Sequence, residues 1–392
     1  MKRRSVLQAV AAVAGAPSLG AAAPGSDGGS VYTRLGVKPL INGMGTVTVV
    51  GGSLMPPEVV RAMEEASRYF VFVPDLQKKA GARIAELLDV PGAMVTAGAA
   101  SAIAVATAAA MTRGDQRKIS QLPDTTGLPF EVIQQKSHRC GYEPQILLNG
   151  AKIVTVETRA ELDHAIGERT AMMFFLNKAE PDGQIKSDEW VRVAKERDVV
   201  SFNDAAADVP PREHLSRYVR QGFDLVAFSG GKGLRGPQCS GLLLGRKDLI
   251  DGAHTCISPF GGIGRGMKVG KEEIVGLLAA VERYLKADHD AEYRALDAKV
   301  AHLRDVVGRV KGVTVETDVP EIANHVPQFV ATWDEGDKKL TAKQVHEQLQ
   351  AGEPPVYVLL TGPGKLTVSV WMMRGDEHRI VARRLRDILA AA

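Results

Sequence analysis

Ala227-Phe228-Ser229-Gly230-Gly231-Lys232-Gly233-Leu234-Arg235-Gly236-Pro237 is the stretch from which the rest of the chain can be ordered. An apolar run, Phe223 to Phe228, leads into it. A second run, Gly241 to Gly245 with its leucines, leaves it. Both read as buried strands, and between them stands a single lysine among glycines. Glycines let the backbone approach a ligand closely. A lysine partly desolvated at a strand end has a lowered pKa, as Schiff-base chemistry requires. The competing reading is a solvated loop lysine, and the rest of the chain has to decide between them.

Working outward, Phe202-Asn203-Asp204-Ala205-Ala206-Ala207 follows another apolar run. An aspartate at a buried strand end is costly unless a cation meets it. A protonated pyridine nitrogen is such a cation, and Lys232 as the holder of pyridoxal 5'-phosphate (PLP) accounts for both residues. Asp204 and Lys232 are 28 positions apart, one strand-helix-strand unit, which puts them on neighbouring strand ends. Ala206 is small enough to lie against one face of a flat ring, and His138 could stack on the other. For Asp204 the plainer role is a helix N-cap; for His138 it is a surface loop histidine.

Farther upstream, Ala93 to Thr96 reads as a strand. A small-residue turn and an alanine-rich helix to Met111 follow. The segment Thr96, Ala97, Gly98, Ala99, Ala100 and Ser101 would present free backbone N–H groups to a phosphate. Ser229 would add a hydroxyl. A tight strand-helix turn and a turn serine are the alternatives.

The pattern between these points alternates strand and helix from Phe130 to Gln221, with uninterrupted apolar strands. That predicts an α/β fold: a mostly parallel sheet of the seven-stranded type with helices on both faces. Ligands in such sheets sit at the carboxyl ends of the strands, where Thr96, Asp204 and Ser229 converge. Gly114 to Pro129 reads as a polar loop. After a long helix at Ile274 to Leu285 the pattern changes to a small C-terminal α+β domain. The expected divisions are 1–29, export signal and linker; 30–286, N-terminal arm and large PLP-binding domain; and 287–392, the small domain.

Composition narrows the rest. At 392 residues, one large and one smaller domain are the default. The net charge of +3 is mixed along the chain, which disfavours nucleic acid as a partner. Cys140, Cys239 and Cys256 are scattered and odd in number, so neither a disulfide framework nor a metal site is expected. No apolar run reaches membrane-spanning length. At the N-terminus, Lys2-Arg3-Arg4 precedes an apolar stretch from Val6 to Ala16, then Pro17 and Ala21-Ala22-Ala23-Pro24. That resembles a twin-arginine export signal, with Val6 where Phe is usual. It predicts an exported, periplasmic protein without a stable membrane anchor, or a cytoplasmic one if the signal is not functional.

The region from Ile41 to Leu285 resembles the selenocysteine synthase-like PLP enzymes of the aspartate aminotransferase superfamily, fold type I. This is the group that includes selenocysteine synthase and D-glucosaminate-6-phosphate ammonia-lyase. The resemblance rests on Phe228-Ser-Gly-Gly-Lys-Gly-Leu-Arg-Gly-Pro-Gln together with several other segments. These are Ile41-Asn-Gly-Met-Gly-Thr46, Ser53-Leu-Met-Pro-Pro-Glu, Leu76-Gln-Lys-Lys-Ala-Gly, Thr96-Ala-Gly-Ala-Ala-Ser, Asp204-Ala-Ala-Ala and Gly264-Arg-Gly-Met-Lys-Val-Gly-Lys. It implies a Schiff base at Lys232, a pyridine partner at Asp204, and a phosphate cup at Thr96 to Ser101 with Ser229. It also implies a homodimer or larger assembly. Cys140-Gly-Tyr-Glu-Pro-Gln departs from the ammonia-lyase pattern, where Asn and a further His are expected.

The resemblance implies α,β-elimination from a hydroxy amino acid or amino sugar acid, giving a 2-oxo acid and ammonia, with Lys232 as proton carrier. Export argues for an unphosphorylated substrate. Arginines clamp carboxylates bidentately, so Arg374 is the first substrate-binding candidate. Arg265 and Lys268 in a glycine-rich loop follow, with Thr46 from the arm; surface charge is the alternative for the three basic residues. A selenium transferase acting on seryl-tRNA ranks second, since only a signal and linker precede Ile41. PLP racemase or aminotransferase chemistry, and an inactive PLP-fold scaffold, stay open.

Overall fold

The computed structural model describes residues 30–392. The export signal expected at 1–29 lies outside the described residues. Val31–Arg34 forms a short helix, α1, capped by the Ser30 side chain. It belongs to a unit that ends at Leu40, and Ile41–Ala392 forms the other.

In that second unit, strands β2 (Ala93–Thr96), β3 (Glu131–Gln135), β4 (Lys152–Val156), β5 (Thr170–Leu176), β6 (Val200–Asp204), β7 (Leu225–Ser229) and β8 (Gly241–Gly245) make a seven-stranded sheet. Its order is β2-β8-β7-β6-β5-β3-β4. All neighbours run parallel except β8, which is antiparallel to both β2 and β7. The exception has a local cause. A loop joins β7 to β8 directly, and a parallel neighbour would need a crossover.

Helices α2 (Pro57–Ser67), α3 (Val73–Leu88), α4 (Ala99–Thr112), α5 (Gln116–Gln121), α6 (Pro144–Leu147), α7 (Arg159–Ala165), α8 (Ser187–Glu196), α9 (His214–Gln221), α10 (Lys247–Thr255) and α11 (Lys271–Lys286) surround the sheet. Two cores result. Phe175, Trp190, Phe228 and Leu244 fill one face; Phe174, Phe202, Ala227 and Leu243 fill the other. Consecutive residues therefore enter opposite cores, which is why these strands read as unbroken apolar runs. Every residue of α4 except Ala100 is buried. A helix apolar on all sides has to be enclosed on all sides. The loop expected at 114–129 contains α5, which is polar in composition and held by Asp115, whose side chain accepts from the Arg117 and Lys118 amides.

Five strands form a second sheet, ordered β1-β11-β12-β10-β9. They are β1 (Ile41–Gly43), β9 (Val313–Asp318), β10 (Gln328–Trp333), β11 (Val356–Gly362) and β12 (Lys365–Ser369). Helices α12 (His289–Val307), α13 (Glu335–Lys338), α14 (Ala342–Ala351) and α15 (Glu377–Ala390) complete this region, and Val300, Phe329, Val345 and Leu385 lie in its core. β1 pairs in parallel with β11, Ile41 opposite Val356. Residues 41–43, read from sequence as part of an arm, are thus hydrogen-bonded into the C-terminal sheet. No helix among the described residues is long and apolar enough to cross a membrane.

Candidate active site

Three strand ends meet in one row. Thr96 of β2 lies opposite Gly241 of β8, and Gly241 lies opposite Ser229 of β7. Gly241 has to be glycine: a Cβ there would stand 2.6 Å from the Gly98 carbonyl carbon and 2.8 Å from the Ala99 nitrogen. β8 is thereby pressed against the turn that starts α4. Gly98 itself sits at φ 112°, and a Cβ on it would meet nothing within 4 Å, so open space lies over the helix start. Thr96 Oγ1 donates to the Gly98 carbonyl at 2.9 Å, pinning the turn. Ser101 is buried and its Oγ has no hydrogen-bond partner. A buried hydroxyl without a partner, beside free helix N–H groups and empty space, is the setting a phosphate would complete.

Asp204 ends β6, which lies beside β7. The Ala205 amide donates to Ala227 O at 3.0 Å and the Ser229 amide to Ala206 O at 3.2 Å, locking the Asp204 loop to the Lys232 strand. Asp204 is 4% exposed. Its Oδ1 accepts from the Ala206 amide at 3.1 Å, so in this structure it caps its own loop and no helix. Burial pushes its pKa up, against the smaller opposing effects of that amide and of Lys232. Burial drives Lys232 down, while Asp204 and then Asp208 pull it back up. The carboxyl and the amine both lean towards their neutral forms, because neither has enough opposite charge nearby. The pair lacks one cation at Asp204, and a ring nitrogen that protonates would supply it. The donor set and the orphaned Ser101 hydroxyl therefore fit PLP.

Behind this pair lies a buried network that the sequence reading missed. Asp208 Oδ2 accepts from Tyr218 OH at 3.1 Å and from Asn177 Nδ2. Asn177 Oδ1 accepts from Asn203 Nδ2 at 3.2 Å. Burial pushes Asp208 up to about 7, and the Asn177 and Tyr218 donors offset only part of that rise. The available signal was an aspartate standing in the apolar run Ala205-Ala206-Ala207-Asp208-Val209. Without a cofactor the folded protein keeps this proton to about pH 7, whereas an unfolded aspartate loses it near pH 3.9. The stabilising contribution is full below the lower value and is lost as pH rises through the higher one. In urea unfolding of the apoprotein between about pH 5 and about pH 7, Asp208→Asn should flatten the fall in stability. The difference from wild type should be at most about 1.4 kcal/mol per pH unit. Identical slopes for the two proteins would refute the assignment.

Several expected site residues lie elsewhere. His138 does not present a ring face to the site: it is fully buried and packs edge-on to Phe175 at 4.4 Å. Its Nδ1 accepts from the Leu176 amide at 3.1 Å, and its Nε2 lies 3.1 Å from Gln135 Nε2. Burial holds its pKa down to about 4. It is a packed core histidine, which corrects both the stacking and the surface-loop readings. Arg374 is exposed and binds Glu377 through Nε at 3.2 Å and Nη2 at 3.0 Å, so its fork is already taken. Arg265 is exposed and its Nη1 reaches only Ser258 Oγ at 3.3 Å. Lys268 is exposed as well. Thr46 is buried and donates to Asn324 Oδ1 at 3.3 Å. None of these four is hydrogen-bonded or ion-paired to Lys232 or Asp204 in the structure. Among the described residues no group of three His, Cys, Asp or Glu side chains could hold a metal ion.

The family described as "SelA: L-seryl-tRNA selenium transferase" matches residues 150–317. D-glucosaminate-6-phosphate ammonia lyase of Salmonella typhimurium (strain 14028s / SGSC 2262) is 30% identical over 372 residues, covering 92% of this chain and 98% of the relative. A solved structure of D-glucosaminate-6-phosphate ammonia-lyase superposes with a TM-score of 0.80 at 29% identity, over 93% of this chain and 99% of that one. The 5'-C-glycyluridine monooxygenase-decarboxylase of a Streptomyces species is also 30% identical, over 91% of this chain and 92% of the relative. A serine palmitoyltransferase structure containing PLP has a TM-score of 0.58 at 14% identity, over 90% and 88% of the two chains, a likeness of fold.

Proposed function

Because the chain belongs to the selenocysteine synthase-like family of PLP-dependent enzymes, with D-glucosaminate-6-phosphate ammonia lyase among its relatives, we propose that it is a PLP-dependent ammonia-lyase. It eliminates water across the α- and β-carbons of a hydroxy amino acid or amino sugar acid, and a water then hydrolyses the resulting enamine, through its imine, to a 2-oxo acid and ammonia. The observation that carries this reading is a buried Asp204 carboxyl and a desolvated Lys232 brought to neighbouring strand ends, with the unpartnered Ser101 hydroxyl at the start of α4. When bound, PLP supplies an electron sink for the pair left at the substrate α-carbon. Lys232 Nζ would hold the cofactor and, when free, would take the α-proton; burial lowers its pKa and so favours the basic, uncharged amine. Asp204 fixes a positive charge at the ring nitrogen. The amides at the start of α4, with Ser101 and Ser229, bind phosphate.

The test is a 2-oxo acid assay over a panel of D- and L-hydroxy amino acids and amino sugar acids, phosphorylated and not. Ammonia and 2-oxo acid released in equal amounts support the lyase. Product from none of the panel, by an enzyme with full cofactor absorbance, sinks it. The equal identity to a monooxygenase-decarboxylase favours a second reading, in which the α-carboxylate is lost instead. Carbon dioxide release with oxygen uptake would select it.

Gly241→Ala gives a separate check on the phosphate cup. The added methyl would strike the Gly98 and Ala99 backbone, which cannot swing aside as a flexible side chain would. PLP affinity should fall by about tenfold or more, with about 1–3 kcal/mol of destabilisation. Equal affinity, measured by titrating apoprotein with PLP, would place the phosphate elsewhere.

An oligomer belongs to the same reading. Tyr69, Phe70, Val71 and Phe72 form an exposed apolar run between α2 and α3, with Phe70 fully in solvent, and such a patch suits a second copy of the chain. Light scattering would reveal a monomer if this is wrong. Export through the twin-arginine route is proposed from residues 1–29. An intact Met1 on protein recovered outside the cytoplasm would contradict cleavage.

A further inference from the structure

A cavity of about 480 Å³ lies beside the Lys232 loop, bordered by Gly233 and Arg235 but not by Lys232 itself. The end of α11, the start of α12 and the segment Trp371 to Arg374 close it. Its volume is that of a small-ligand site. Its polar groups are of unusual kinds.

Arg235 is the first. It holds a left-handed backbone at φ 57°, a conformation a non-glycine residue adopts at a cost. Its amide donates to Lys232 O at 2.9 Å, closing a turn on the cofactor lysine. Its Nε donates to Leu54 O at 2.9 Å, which fixes the guanidinium plane. No carboxylate of the described residues lies within ion-pairing distance of it. Burial lowers its pKa, and the neighbouring Arg283 adds to that, against smaller opposing effects of Glu292 and Glu58.

Tyr284 is the second. It is 3% exposed, and its hydroxyl is buried without a hydrogen-bond partner. Buried hydroxyls are nearly always satisfied, so this one signals a missing group. Lys299 also faces the cavity, with Nζ bound only to Met373 O at 2.8 Å. The acids balance these cations only from a distance: Glu292, which pairs with Arg283 at 3.2 Å, and Glu58 act on Arg235 without an ion pair, Glu377 acts so on Lys299, and Asp290 is exposed. Leu296, Met372 and Trp371 supply apolar wall.

We infer that this cavity is a second binding site, taking a small hydroxylated organic acid whose oxyanion pairs with Arg235 and whose polar body satisfies Tyr284. A guanidinium held flat with its outer nitrogens uncommitted is shaped for a carboxylate or phosphate fork. The turn bond from Arg235 to Lys232 makes the site adjacent to the catalytic loop while remaining separate from the phosphate cup at α4. The inference stands whichever reaction the enzyme performs.

The experiment is isothermal titration of the PLP-loaded protein, in which the phosphate cup is already filled. The probes are gluconate, citrate and inorganic phosphate, each against chloride at matched ionic strength. One saturable site per chain is expected for at least one probe. Saturation by the hydroxy acids alone identifies a carboxylate ligand, and saturation by phosphate as well identifies a general oxyanion site. Arg235→Met should weaken binding about tenfold or more, and Arg235→Lys should restore part of it. Tyr284→Phe removes a single unsatisfied oxygen from a packed ring and should weaken binding severalfold with an unchanged or raised melting temperature in the absence of probe. No saturable binding of any probe overturns the inference. So does unchanged affinity in Tyr284→Phe, which decides the matter even if the Arg235 variants fail to fold.

Discussion

Lys232→Ala should yield a folded protein that binds PLP only reversibly and has lost at least about 10³-fold in turnover. The side chain sits in a loop where its Nζ has no hydrogen-bond partner among the described residues, so its removal breaks no polar contact of theirs. Truncating it also relieves a desolvated amine. Thermal stability of the apoprotein should therefore hold or rise while catalysis collapses, a separation that a merely structural lysine would not show. Borohydride reduction provides the decisive readout. Wild-type protein should retain cofactor after reduction and denaturation; the variant should release it. Retention by the variant would move the attachment to another amine. Lys178, whose charge acts on Lys232, would be the first to examine.

Asp204→Asn should cost about 10²- to 10⁴-fold in kcat and change the visible absorption of the bound cofactor. The amide has the same shape, and the bond from the Ala206 N–H to Oδ1 survives. It cannot, however, carry the negative charge that keeps a ring nitrogen protonated. The apoprotein should respond in the opposite sense. There the buried carboxyl lacks a full counter-charge, and neutralising it should leave stability unchanged or raise it. Stability gained without cofactor and lost with it would mark Asp204 as a residue that is costly until its ligand arrives. An activity loss with no spectral change would point instead to a simple loop defect.

Much of this arrangement was legible from the residues. Strands buried on both faces wrote themselves as unbroken apolar runs, so the sheet and the carboxyl-end placement of Asp204 and Lys232 could be read directly. Small residues at 96–101 and the glycines around Lys232 marked where backbone had to approach backbone or ligand. The misreadings share a cause, which is that residue type does not state what a side chain touches. His138 read as a residue that could stack on a flat ring, or as a surface loop histidine, yet its ring is turned inward on Phe175. Arg374, read as a carboxylate clamp, rests in a surface pair with Glu377, three residues on, which its sequence neighbours alone do not announce. Asp208 escaped notice because its partners, Asn177 in the turn after β5 and Tyr218 on α9, are themselves 41 positions apart along the chain. Ile41–Gly43 read as an arm because its partner strand begins at Val356, far beyond the reach of any local pattern.

The wedging of Gly241 against the α4 turn bears on how the protein matures. β2 and α4 are complete in sequence by residue 112, but the strand that seats their turn begins at residue 241. Contacts of such span close slowly, because a long loop must be ordered before they form. A nascent chain can build the alanine-rich helix early from local propensity alone, and it still lacks the pocket that helix serves. Both the lysine and the turn proposed to take the phosphate reach their final places only when β8 docks between β2 and β7. Cofactor capture is in this way a report that the longest-range pairing of the large sheet has been made.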